Sequence, residues 1–138
     1  MAVSGSMQDQ VRERDQHRCA YCRSFEALTV TSFEIDHIVP KSAGGQTTES
    51  NLCLACPTCN RYKGASQTAV DPETGEDVPL FHPRKDRWNE HFAWQDEQTR
   101  IVGLTPTGRA TVAKLRMNRA QMVRLRGLWR KLGVTLGG

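Results

Sequence analysis

Two groups of residues in this chain have types and spacings that can do chemistry. The first is made of cysteines. Cys19-x2-Cys22 and Cys56-x2-Cys59 are short knuckles separated by 33 residues. A CxxC loop lets both sulfurs point at one ion, and four thiolates at tetrahedral reach make a structural Zn²⁺ site. Such a site is closed to water and substrate, so it braces the fold and does not react. Its removal should unfold the domain. Cys53 lies outside the pattern and is expected to pack as a small hydrophobe. The second group lies between and just after the pairs. In Glu34-Ile35-Asp36-His37-Ile38-Val39-Pro40, His37 titrates near neutrality and suits a general base. Asp36 offers a hard oxygen ligand for Mg²⁺ or a similar ion. Asn60 directly follows a cysteine and can bring an amide oxygen to the same ion.

The elements that must position these groups are short. Residues 8–18 are polar and helix-compatible. Val30, Phe33, Ile35, Ile38 and Val39 predict one or two extended segments between Leu28 and Val39. Neighbouring side chains in a strand point to opposite faces, so Asp36 and His37 need a twist or an edge position to share a site. Lys41 to Gln46 is a loop, and Leu52-Cys53-Leu54-Ala55 suits a second strand. Pro57 sits where a helix can begin without losing a hydrogen bond, and Gly64 can end it. Residues 65–80 read as a linker or surface loop, with turn chemistry at Asp71-Pro72-Glu73-Thr74-Gly75. An aromatic stretch follows with Phe81, Trp88, His91, Phe92 and Trp94. Two helices are then expected, one over Gly108 to Arg116. The second is capped by Asn118 with Gln121, carries Met122, Leu125, Trp129 and Leu132 at helical spacing, and ends at Gly133.

The run from Arg18 to Gly64 resembles the HNH endonuclease family. The likeness rests on both cysteine pairs, the Asp36-His37-Ile38-Val39-Pro40 run, the Gly44-Gly45 loop, Asn51, and Cys59-Asn60-Arg61-Tyr62-Lys63. It covers a little over a third of the chain. It implies an α+β fold: a ββα-metal (treble-clef-like) nuclease unit stapled by four cysteines, here with a basic helical C-terminal extension. It implies His37 as general base and Asp36 and Asn60 as ligands of a catalytic divalent ion. Asn51 matches the middle asparagine that holds the loop and orients the base. The all-oxygen pair favours Mg²⁺ or Mn²⁺ over softer ions. The implied reaction is hydrolysis of a DNA phosphodiester, leaving 5′-phosphate and 3′-hydroxyl ends. Taken singly these residues are ordinary: Asp-His pairs decorate surfaces, and asparagines populate turns. Their joint spacing against the cysteine pairs lifts them above that. Glu34 stands between an accessory acid and an exposed strand residue. His17, His82 and His91 are taken as structural or surface groups.

Charge points to the partner. Of the 138 residues, positions 1–97 hold ten basic and all fifteen acidic side chains, a net −5. Positions 98–138 hold nine basic residues and no acid, a net +9. A segment so one-sided suits a polyanion such as DNA, engaged through phosphates. Lys41, Arg61 and Lys63 beside the site, and Arg109, Arg116, Arg119 and Arg124 in the tail, are the expected contacts. The expected organisation is a flexible leader at 1–7, a nuclease domain at 8–66, a linker and aromatic docking segment at 67–103, and a basic helical extension at 104–138. No run of residues has the length and apolarity of a membrane span or signal peptide. A cytoplasmic monomer or homodimer is therefore expected, with reduced thiols. The alternative function is a non-catalytic zinc-stapled DNA-binding module, against which Asp36, His37 and Asn60 together argue.

Overall fold

The computed structural model describes residues 3–137. The chain divides into two compact units, one holding Met1–Gln67 with His82–Lys85 and the other Thr68–Phe81 with Asp86–Gly138.

The first unit opens with α1 (Gly5–Arg14). Its N-cap is Ser4, whose hydroxyl accepts a hydrogen bond from the Met7 amide at 3.2 Å, satisfying an N–H that the helix itself leaves unpaired. The helix thus begins inside the stretch expected to be a leader; Met1 and Ala2 lie outside the described residues. After the first cysteine knuckle, strand β1 covers only Glu34–His37, because the rest of the expected extended run is irregular around a short 3₁₀ turn at Glu26–Leu28. Strand β2 (Leu52–Ala55) pairs antiparallel with β1, placing Asp36 opposite Cys53 and His37 opposite Leu52. All four β2 residues are buried, so this strand is the centre of a small core that includes Tyr21. Helix α2 (Pro57–Lys63) follows directly. Cys56 caps it, with its sulfur accepting the Cys59 amide at 3.4 Å, and Pro57 occupies the first turn. Gly64 ends it at φ 55, a left-handed value that glycine adopts without strain. The sequence β1–β2–α2 is a ββα unit.

The second unit is not a linker. Its residues 68–79 form a hairpin of β3 (Thr68–Val70) and β4 (Asp77–Pro79). The turn is closed by Asp71, whose carboxylate accepts from the Glu73 amide and the Thr74 hydroxyl, each at 3.0 Å. Helix α3 (Trp88–His91) leads into a second hairpin of β5 (Phe92–Gln95) and β6 (Arg100–Gly103). Helices α4 (Pro106–Leu115) and α5 (Ala120–Lys131) complete the unit. A Cβ at Gly108 would collide with the His91 carbonyl, so only glycine lets α4 approach so closely. The aromatic residues were expected to dock an extension on the nuclease domain. Instead they build the core of this unit: Phe81 lies 5.2 Å from Phe92, and Trp88 lies 5.1 Å from Phe92 and 5.4 Å from Trp94, centroid to centroid.

Two expectations for the helical tail are corrected. Asn118 does not cap α5; Arg119 holds that position, with no capping bond from its side chain. The Asn118 amide instead accepts from the Ile101 amide at 2.8 Å and donates to the Ile101 carbonyl at 2.7 Å, acting as one residue of a missing strand along the β6 edge. Leu132 is exposed, and the buried face of α5 runs through Met122, Arg126 and Trp129. Arg126 is wholly buried. Its guanidinium donates to the Met117 carbonyl at 2.7 Å and the Thr99 carbonyl at 3.0 Å.

Candidate active site and metal centre

The four knuckle cysteines are brought together from two loops. Cys19 and Cys22 sit on a turn closed by the Cys19 amide donating to the Ser24 carbonyl at 2.9 Å, with Arg23 at φ 67. Cys56 and Cys59 sit at the start of α2. All four are buried, and their sulfurs lie within 4.8 Å of one another. The Cys22 and Cys56 sulfurs are 3.8 Å apart. A zinc tetrahedron with bonds of about 2.3 Å needs sulfurs about 3.8 Å apart, so the donor set fits such an ion. Burial pushes the Cys19 thiol well up, while hydrogen bonds from the other three cysteines hold Cys22 well down. Four thiolates this close need a central cation. Among the described residues this is the one group of three or more His, Cys, Asp or Glu side chains so placed. Cys53 is fully buried in β2, and burial raises its thiol well above the usual range.

Next to this brace, Asp36, His37 and Asn60 line one concavity of about 250 Å³, together with Ile35, Pro40, Lys41, Gly64 and Ala65. Neighbouring side chains of a strand point to opposite faces, yet Asp36 and His37 both line this cavity. They share the cavity because β1 is an edge strand that ends at His37. The Asp36 carboxylate is buried. Its Oδ2 accepts from the Tyr21 hydroxyl at 2.8 Å and lies 3.2 Å from Lys63 Nζ, whereas Oδ1 has only the longer 3.4 Å contact with Lys63. Burial, reinforced by the nearby Cys53 and Asp36, keeps the Tyr21 hydroxyl protonated and donating.

His37 is half-buried, with Nε2 2.9 Å from the Thr47 hydroxyl. Burial, and then the Lys41 ammonium, push its pKa below the ordinary histidine value, which favours the neutral imidazole. Asn60 donates from Nδ2 to Glu34 Oε1 at 2.7 Å. With its nitrogen so engaged, the amide leaves its oxygen as the other available end. Glu34 shares a strand face with Asp36 and therefore reaches the same helix, which is what puts it beside Asn60.

Asn51 is buried under the loop that follows β1. Its Oδ1 accepts from the Val39 amide at 2.8 Å, and its Nδ2 donates to the Val39 carbonyl at 3.0 Å and the Gln46 carbonyl at 2.9 Å. One side chain thus ties both ends of the Val39–Gln46 loop. A Cβ on Gly45 would collide with the Val39 carbonyl, so this clamp requires a glycine there.

The expected phosphate contacts separate into two groups. Lys41 is exposed at the rim of the cavity, and Arg61 is exposed with its guanidinium 5.5 Å from the Tyr62 ring centroid. Arg116 and Arg124 are exposed and Arg119 is half-buried. Lys63 and Arg109 are corrections. Lys63 is buried against Asp36 and also donates to the His37 carbonyl at 3.3 Å, so it is an internal counter-charge. Arg109 makes a bidentate pair with Asp71, Nε to Oδ1 at 3.0 Å and Nη2 to Oδ2 at 2.8 Å, which occupies its fork. Sequence reasoning did not find Tyr21 or Thr47, because nothing local marks a tyrosine or threonine that meets its partner only after folding.

This brace, cavity and clamp define the class of domain. Residues 19–66 match the family model described as HNH endonuclease, and the chain carries an HNH endonuclease domain there. The chain is 41% identical over 59 residues to the CRISPR-associated endonuclease Cas9 of Corynebacterium diphtheriae, a match covering 42% of this chain and 5% of that protein. It is 30% identical over 117 residues to the Septu protein PtuB of Bacillus mycoides, covering 66% of this chain and 39% of that protein. It therefore spans well under two thirds of either relative's length. No solved structure matches the chain. Among the described residues no helix is long and apolar enough to cross a membrane.

Proposed function

We propose that this protein is a metal-dependent DNA endonuclease that hydrolyses phosphodiester bonds at the Asp36–His37–Asn60 cavity. The observation that carries this reading is that the three residues line one concavity beside a buried four-cysteine group. A zinc ion on those cysteines would hold α2 against the first knuckle and has no open position for chemistry. His37 is the base. Thr47 holds Nε2, so Nδ1 is the nitrogen that takes the proton from an attacking water, and the depressed pKa keeps it ready to do so near neutrality. Asp36 Oδ1 and the Asn60 amide oxygen are the hard donors for Mg²⁺ or Mn²⁺. Such an ion, when bound, neutralises charge on the scissile phosphate and on the leaving oxygen. Tyr21 and Lys63 fix Asp36 from behind, and Asn51 fixes the loop beside His37. Lys41 and Arg61 hold phosphates at the rim. Arg116, Arg119 and Arg124 add further cations, also for phosphates and without reading bases. One such cavity per chain suits single-strand nicking by a monomer, with two events or a homodimer for a double-strand break. The placement of the reaction in the cytoplasm belongs to the same reading.

The test is plasmid cleavage with Mg²⁺ or Mn²⁺ by the wild type and by His37→Ala. The wild type is expected to relax supercoiled plasmid, and the variant to be slower by a factor of about 10² to 10⁴, as loss of a general base dictates. Zinc content and thermal midpoint should be unchanged. Equal rates would leave the chain as a zinc-stapled DNA-binding module.

A further inference from the structure

Helix α5 buries one side, through Met122, Arg126 and Trp129. Beside it the apolar arc continues through Leu125 and Leu128 to Leu132, the residue that caps the helix. These leucines are spaced by three and then four residues, so they fall within about 60° of the helix circumference and form one stripe. Leu128 is 55% exposed and Leu132 is 78% exposed, with Leu125 half-buried at the edge. Single exposed leucines are ordinary, but a contiguous stripe marks a docking surface. The spacing is the a–d–a seam of a helix-pairing motif.

The flanking charges select the occupant. Arg124 and Lys131 stand seven residues apart on one side of the stripe, and both are exposed. On the other side the flanking positions are Met122 and Trp129, which are already buried. In a second copy paired antiparallel, Arg124 and Lys131 would face the same two cations. In a parallel pair they would face residues with no charge to offer. Residues 98–138 contain no acid at all, so nothing in this part of a second copy can neutralise them. Nucleic acid would satisfy the cations and leave the leucines wet.

We propose that the Leu125–Leu128–Leu132 stripe docks an amphipathic helix of a partner protein whose own apolar seam is flanked by Asp and Glu. The leucines supply the contact area, and the two cations set orientation and discriminate against basic helices. None of the three leucines lines the cavity, so they test the stripe apart from the nuclease reading, whereas Arg124 is shared with that reading.

The experiment uses the full zinc-loaded chain and two dye-labelled synthetic helices. One has leucine at its a and d positions with glutamate at e and g; the other has lysine at e and g. Fluorescence anisotropy is expected to show saturable binding of the acidic helix, at least ten-fold tighter than the basic one. The double variant Leu128→Gln with Leu132→Gln should weaken that binding at least ten-fold while leaving the thermal midpoint, plasmid cleavage and DNA affinity unchanged. Arg124→Glu with Lys131→Glu should reverse the preference between the two helices. The proposal is overturned if the acidic helix does not bind, or if both helices bind equally. It also fails if sedimentation shows a dimer that the leucine variant abolishes, which would assign the stripe to a second copy. A leucine variant that loses DNA affinity would assign it to nucleic acid.

Discussion

A lysine buried to 2% exposure is sustained by the carboxylate it faces, and in this protein that carboxylate is Asp36. Removing one partner leaves the other as an uncompensated interior charge, so Lys63→Met should destabilise the first unit by about 3 kcal/mol. Urea unfolding followed by far-ultraviolet dichroism checks this, and a shift under 1 kcal/mol would contradict the burial of the pair. Glu34 has a different task. By accepting the Asn60 Nδ2–H it leaves the amide oxygen as that side chain's other end, the end proposed to hold the divalent ion. Glu34→Ala should raise the Mg²⁺ concentration needed for half-maximal cleavage by about ten-fold, in the range seen when a ligand's hydrogen-bond partner is lost. Glu34→Gln retains an acceptor and should restore much of it. That Asp36, His37 and Asn60 come to one cavity was legible because their spacing against the cysteines is informative. The partners of Asp36 were not. Lys63 looks like any surface lysine until a strand residue 27 positions earlier arrives beside it.

Short elements with end signals were readable at the scale of helices and strands. Pro57 and Gly64 bracket α2 because their backbone preferences act locally, and the uniformly apolar Leu52–Ala55 is a strand. The β3–β4 hairpin was missed. Its strands have three residues each, too few to show alternation, and its turn chemistry looks the same as that of a linker. The capping signal at Asn118 was overridden because both ends of its amide pair with the Ile101 backbone on the β6 edge. Asp71 makes the hairpin a titratable element. The Arg109 guanidinium, helped by the Glu73 amide and Thr74 hydroxyl, holds its carboxyl below the usual carboxylate range. The folded value is depressed, so the stabilisation is complete above the unfolded value of about 3.9 and is lost only as pH falls through the lower folded value. The second unit should therefore keep its thermal midpoint as pH is lowered to about 4, with the contribution of this pair fading below that. In Asp71→Asn the midpoint at neutral pH should drop and its acid-side dependence should flatten.

The whole molecule separates its optical reporters by unit. Tyr21 and Tyr62 belong to the first unit, and Trp88, Trp94 and Trp129 belong to the second. Stripping a metal from the four cysteines should unfold the first unit, because four buried thiols within 4.8 Å cannot hold two loops together unaided. A strong chelator should thus abolish cleavage and reduce dichroism while tryptophan emission keeps its buried wavelength. A red shift of that emission in step with metal loss would show that the second unit depends on the same brace.

The return of His82–Lys85 to the first unit has a consequence for dissecting the gene. Arg84 pairs with both oxygens of Asp15, at 2.8 and 2.9 Å, and donates to the Leu52 carbonyl at 2.9 Å. Asp15 in turn accepts the Leu54 amide at 2.7 Å, so Arg84 supports the strand that faces Asp36. The segment that builds the first unit is therefore discontinuous. A fragment cut after Gln67 would contain every cysteine and every cavity residue, yet would lack the arginine that steadies β2 from seventeen residues beyond the cut.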